Sequence, residues 1–330
     1  MKNFLPPWVL LLLLIATGCN RPYKTTGEIE RYDLALDSII DEDAEVEIID
    51  KGFDWCEGPL WMDDRQVLIF SDVPQNKVYE WKEGRGTILY LNPSGYTGQM
   101  SRRGEMGSNG LLLDNEGRLV LCQHGDRRLA RMDARLIAPN PRYITIADNF
   151  NGKRFNSPND AVSYDGGFLF TDPPYGFEYG PEDPARELPF QGVYFVQANG
   201  HVRLLTDTLT RPNGIGLSPD KKFVVVANSD EHKARWYRYD FNGTSFTSGK
   251  VLFDATSQAG KVKGLPDGLK IDSRGTIFAT GPGGVYIMNL EGKLLGKIKL
   301  EEAASNCTLT GDGKTLFITN DMYLLRVVMR

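Results

Sequence analysis

A phrase repeats six times along this chain, and it limits the fold more than any other feature. Each copy opens on an oxygen-bearing side chain followed by Gly or another short residue. Alternating apolar positions, an Asp/Gly-rich turn and a second apolar run come next. The copies start at Glu57 (EGPLWMDDRQVLIFSD), Asn109 (NGLLLDNEGRLVLCQH), Asn159 (NDAVSYDGGFLFTD), Asn213 (NGIGLSPDKKFVVVANSD), Asp267 (DGLKIDSRGTIFATG) and Asn306 (NCTLTGDGKTLFITND). Successive starts lie 39–54 residues apart. A period of about 40–50 residues with several strands per unit is the mark of a β-propeller blade.

Each copy runs on beyond its hairpin. Third strands read VYEW from Val78, GVYFV from Gly192 and RWYRYD from Arg235; fourth strands read TILYL from Thr87 and HVRLLTD from His201. The sixth copy has only a third strand, YLLRVV from Tyr323, and EVEIID from Glu45 supplies the missing one. An N-terminal strand set into the last blade shuts the ring and removes a free edge. The expected fold is all-β: one six-bladed β-propeller over residues 45–330, with four-stranded blades and a ring closed by an N-terminal strand. The 35 Gly and 18 Pro serve its many turns. A formal charge of −5 with no basic run leaves no footprint for nucleic acid.

The first residues, MKNFLPPWVLLLLLIATGC, carry one Lys and an apolar core from Trp8 to Ala16. That core is too short to span a bilayer comfortably. It reads as a signal peptide over 1–18. Ala16-Thr17-Gly18-Cys19 matches a bacterial lipobox, with Ala16 where Leu is commoner. Cys19 is then the lipidation site and the mature N-terminus; plain secretion with cleavage near Gly18 is the alternative. Residues 19–44, polar and acidic toward Asp43, read as a tether. The expected location is the cell envelope, facing the periplasm or exterior and meeting the membrane only through a lipid anchor. Three further cysteines, Cys56, Cys122 and Cys307, leave at least one unpaired. Ring closure would make the blades of Cys56 and Cys307 neighbours, so a bridge is one expectation and buried free thiols the other. No Cys-x-x-Cys pair occurs, which disfavours zinc and dithiol chemistry.

In a propeller the first strand of each blade lies innermost. The six opening residues therefore converge on one rim: Glu57, Asn109, Asn159, Asn213, Asp267 and Asn306. Two carboxylates and four amides crowded in a channel are poorly satisfied on their own. A cation resolves this, and an all-oxygen set selects calcium, with magnesium or manganese as alternatives, over zinc. Calcium takes six to eight oxygens at about 2.3–2.6 Å, so three or four side chains leave room for water and substrate. Taken singly, each such residue is also an ordinary turn former. The second strands end at a further ring that includes Asp72, His124, Asp172 and Asp230.

These phrases resemble the gluconolactonase and senescence-marker-protein (regucalcin-like) family of six-bladed propellers. The resemblance is carried by EGPLW at Glu57, GSNGLLLD around Asn109, CQHGDRRLAR from Cys122 and KRFNSPNDAVSYDGGFLFTDPPYG from Lys153. RPNGIGLSPD around Asn213 and PDGLKID around Asp267 complete it. The family's divalent-cation set maps onto Glu57, Asn159, Asn213 and Asp267. The resemblance implies hydrolysis of a sugar lactone to the aldonic acid, with the metal polarising the carbonyl. Asp267 would be the general base, and His124 is an alternative acid or base because imidazole titrates near neutrality. Asn109, Arg154 and Asp172 are the expected substrate contacts. The loops 92–108 and 173–191 are candidate walls of the pocket. Two other readings stand beside this one. One is a related propeller acting on aryl esters, homoserine lactones or organophosphates; the other is a non-enzymatic propeller stapled by its metal.

Overall fold

The protein is described from a computed structural model over residues 23–100 and 102–330. Six antiparallel sheets form in chain order. The first is Cys56–Met62, Val67–Asp72, Lys77–Lys82 and Gly86–Leu91. The second, third and fourth begin with the inner strands Ser108–Leu113, Ala161–Tyr164 and Pro212–Leu217, each followed outward by three more. The fifth begins at Leu269–Ile271. The sixth begins at Ala304–Leu309 and takes Val46–Lys51 beside its third strand, Tyr323–Val328. The chain is thus the all-β, six-bladed propeller its repeats predict, and the strand expected from Glu45 closes the ring.

The second strand of each blade is covered on both faces, and its sequence is accordingly a near-continuous apolar run. Val67–Asp72, Phe223–Asn228 and Ile277–Gly281 are buried at every position. The core is not one mass but six clusters, each packed between two adjacent blades. At the closing seam Phe317 of blade six stacks on Trp61 of blade one at 5.2 Å and meets Trp81 edge-on at 5.8 Å. The Ser305 hydroxyl donates across the same seam to the Cys56 carbonyl at 2.5 Å.

In four of the six copies the residue after the opening side chain is a glycine (Gly58, Gly110, Gly214 and Gly268), because the next inner strand passes against it. A Cβ on Gly214 would lie 2.2 Å from the Asp267 carbonyl oxygen, and one on Gly268 would lie 2.0 Å from Asn306 Cγ. Larger side chains would push the inner strands apart and open the channel.

Residues 23–44 are not a tether. Lys24–Thr26 pairs with Val46–Lys51 as a fifth strand on blade six, and Glu28–Arg31 pairs with Leu294–Lys299 as a fifth strand on blade five. A 3₁₀ turn, Leu34–Ser38, is capped by the Asp33 carboxylate, which accepts from the Ala35 N–H. It drives Leu36, with Ile39 and Ile40, into the core between blades five and six. Burying Leu36 fully contributes about 1.5–3 kcal/mol. The signal peptide and Cys19 lie outside the described residues. Cys56, Cys122 and Cys307 are buried free thiols. The Cys307 Sγ–H donates to the Phe278 carbonyl at 3.4 Å.

Candidate active site

The opening residues reach the rim through a local irregularity. In blades one, two and four the inner strand slips register at the opening residue, between Glu57 and Leu60, Ser108 and Leu111, and Pro212 and Ile215. A bulge re-aims side chains out of the pleat, and here it turns them toward the axis. Asn159 and Asp267 stand just before their strands, each held by a backbone N–H donating to Thr171 or Thr280 at 2.9 and 3.0 Å.

Five of the six opening residues line one cavity of about 1080 Å³: Glu57, Asn109, Asn159, Asn213 and Asp267. The sixth, Asn306, is turned aside. Its Nδ2 donates to Glu57 Oε2 at 3.2 Å, and its Oδ1 accepts from Lys270 Nζ at 3.2 Å. It therefore braces Glu57. Glu57 is 2 % exposed, and burial, reinforced by the Asp160 charge, pushes its carboxyl up to about 8. Asp267 is held well above the carboxylate range by burial first and then by Glu57 and Glu105. Asn213 and Asp267 each keep one buried Oδ1 without a hydrogen-bond partner, as does Asn109.

Orphaned acceptors beside repelling carboxylates suit a hard divalent cation. Glu57, Asn159, Asn213 and Asp267 are the residues that could hold it. Among the described residues no group of three or more His, Cys, Asp or Glu comes together, so any site here depends on its amides.

Asn109 stands on the cavity wall, as expected of a substrate contact. His124 does not. It is fully buried behind Asn159, with Nε2 3.4 Å from Asn159 Nδ2 and Nδ1 3.4 Å from Glu105 Oε2. Asp172 is also absent from the wall. Its carboxylate accepts from the Asn156 and Ser157 N–H groups at 2.8 Å each and so shapes the loop leading to Asn159. Arg154 points elsewhere too, donating from Nη2 to the Asp126 carbonyl at 2.7 Å. The second ring is thus largely a set of braces. Asp72 likewise accepts from the Trp55 N–H, and Asn228 from the Arg211 N–H.

The wall carries residues the repeats did not single out: Trp55, Glu105, Tyr175 and Arg211. Trp55 and Arg211 stand two positions before Glu57 and Asn213, as Leu265 does before Asp267, and all three line the cavity. Period-two alternation puts such pairs on one side of an extended segment, and that is the signal that could have found them. Glu105 and Tyr175 come from the two long loops, which Arg102 clamps together by donating to the Gly125 and Gly176 carbonyls.

A six-bladed propeller with an all-oxygen donor cluster at one rim defines a class of small-molecule hydrolase scaffold. The SMP-30/gluconolactonase/LRE-like family model matches residues 55–321. The gluconolactonase of Zymomonas mobilis subsp. mobilis is 34% identical over 319 residues, 93% of this chain and 88% of that protein. A gluconolactonase structure from Xanthomonas campestris superposes with a TM-score of 0.79 at 27% identity, over 94% of this chain and 99% of the other. A calcium-binding regucalcin from Agrobacterium tumefaciens shares the fold, with a TM-score of 0.65 at 16% identity over 86% of this chain and 93% of that chain. The chain belongs to the SMP-30/gluconolactonase/LRE-like family.

Proposed function

We propose that the protein hydrolyses a sugar lactone to its aldonic acid at a divalent cation held by Glu57, Asn159, Asn213 and Asp267. The observation that carries this reading is the pair of orphaned oxygens, Asn213 Oδ1 and Asp267 Oδ1, on the same cavity as the buried Glu57 carboxyl. Calcium is the preferred ion, because every donor is a hard oxygen and the related regucalcin is a calcium-binding protein. Bound there, the ion supplies Lewis-acid polarisation of the lactone carbonyl and offsets the charge that develops on its oxygen.

Asp267 acts as general base. It takes a proton from water as the water oxygen bonds to the carbonyl carbon. The ring C–O bond then breaks, and Asp267 returns the proton to the leaving alkoxide. Without a cation, burial and the neighbouring acids raise the proton affinity of Asp267; a cation at the site would lower it and keep the carboxylate ionised, as a base requires. Asn109 offers its unpartnered Oδ1 to a substrate hydroxyl. His124 positions Asn159 from behind rather than touching substrate.

The test is acid release from glucono-, galactono- and xylono-lactone by residues 20–330, with calcium and with chelator. Asp267→Asn should slow turnover by about 10²–10⁴-fold, and Glu57→Gln should abolish metal-dependent rate. Full activity in either variant, or in chelator, would overturn the proposal. We further propose that Cys19 carries a lipid and that the enzyme works outside the cytoplasm. Recovery of the native chain in the cytoplasmic fraction would contradict that.

A further inference from the structure

The cavity wall carries five carboxylates and a single Lys or Arg among its described residues. The acids are Glu57, Glu105, Asp230, Glu231 and Asp267, and the cation is Arg211. The Arg211 backbone is fixed, its N–H donating to Asn228 Oδ1 and its carbonyl accepting from Ser229 N–H, each at 2.8 Å. Its guanidinium, in contrast, makes no hydrogen bond or ion pair with any described residue. The nearby Asp230 carboxylate is already engaged, accepting from the Thr210 hydroxyl and from the His232 N–H at 2.9 Å. Arg211 attracts the Asp230 carboxylate through space without a direct ion pair, so its N–H donors stay free for a ligand.

Position and space point the same way. Arg211 precedes Asn213 by two residues, about 6.6 Å along an extended chain. That is comparable with the length of a six-carbon lactone from carbonyl to terminal carbon. The cavity of about 1080 Å³ lies at the upper end of the range for small-molecule sites, about 300–1,000 Å³. A sugar ring at the oxygen cluster leaves room beyond it. Glu57 and Asp267 together match the two charges of the cation proposed above; Glu105, Asp230 and Glu231 remain on the wall, so a bidentate pairing of the anion with Arg211 has to outweigh their repulsion.

We propose that Arg211 selects lactones that bear an anionic group, carboxylate or phosphate, on the carbon far from the carbonyl. This rests on the lactonase reading and names its substrate class. A planar guanidinium presents paired N–H donors that match either anion bidentately. A neutral polyol needs no such group, because the Asn109 amide, the Ser229 hydroxyl and the Tyr175 phenol are on the same wall.

The experiment compares kcat and KM of the full chain, in calcium, for gluconolactone (neutral), glucarolactone (carboxylate) and 6-phosphogluconolactone (phosphate). Wild type, Arg211→Gln and Arg211→Lys are measured after thermal melts establish that each is folded. The expected result is a KM for at least one anionic lactone about 10- to 100-fold below that for the neutral one. Arg211→Gln should erase that advantage with kcat nearly unchanged, and Arg211→Lys should restore part of it. Whether the carboxylate or the phosphate lactone responds identifies the anion. Equal KM for neutral and anionic lactones in wild type, or an equal KM rise for all three in Arg211→Gln, overturns the proposal while leaving the lactonase standing. Turnover of no lactone by wild type overturns the lactonase reading and this one with it.

Discussion

Burial raises the proton affinity of Glu57 and Asp267, and this couples cation binding, stability and pH. Glu57 in the folded chain is pushed up to about 8 from its ordinary 4.5, and Asp172, buried against the loop before Asn159, up to about 7. Between the unfolded and folded values the native chain holds protons that the unfolded chain has released. The stability these groups contribute is therefore fully present below about pH 4.5 and is lost as pH rises through about 8. We expect the melting temperature of the metal-free protein to fall between pH 5 and pH 9. Added calcium should restore it most at the upper end, where its ligands are ionised, and Glu57→Gln should flatten part of the slope. Differential scanning calorimetry across that range checks this, and a pH-independent Tm without metal would contradict it. The residues of this site were unequally legible. Position in the repeat placed six candidates on one rim, and the family resemblance singled out Glu57, Asn159, Asn213 and Asp267 among them. Asp172 was misread because the end of a second strand looks alike in sequence whether it faces the cavity or braces a loop. Arg154 was misread because the short hairpin that carries it turns the side chain away. Glu105 gave no periodic signal, since a long loop has no period.

At the scale of elements, the segment 23–44 shows what composition hides. KTTGEIER has the polarity of a linker, yet it forms two edge strands, because an outermost strand needs only its backbone ladder and one partly covered face. The local hint was the apolar set Leu34, Leu36, Ile39 and Ile40 among acids, of which Leu36, Ile39 and Ile40 are buried. Leu36→Ala should lower unfolding free energy by about 2–5 kcal/mol. Leu34→Ala, at a position 86% exposed, should change it little. Denaturant titration of both variants decides whether the segment is docked, and equal midpoints would argue that it is loose. The second strands of the blades were legible for the opposite reason. Covered on both faces, they leave an uninterrupted apolar run that no exposed edge could tolerate.

For the whole molecule, the four proposed ligands come from blades one, three, four and five, so one ion would tie blade one to three blades with which it shares no seam. Binding to the native state alone stabilises by about 2.7 kcal/mol at one hundred times Kd. For a domain of this size that is a rise in Tm of about 4 °C. Thermal melts with calcium and after chelation should show it, and Asp267→Asn should lose most of the rise. The ring is closed at blade six by Val46–Lys51, and outside that closure lie the two added strands, Lys24–Thr26 and Glu28–Arg31. They are laid down in series along the chain, the first on blade six and the second on blade five. Tension applied ahead of Tyr23 would meet them one after the other. Each could peel from its sheet edge, lengthening the N-terminal reach in steps, before the ring-closing strand Val46–Lys51 was itself pulled from its blade. The enzyme thus carries two sacrificial stitches between whatever holds its N-terminus and the blades that hold its substrate.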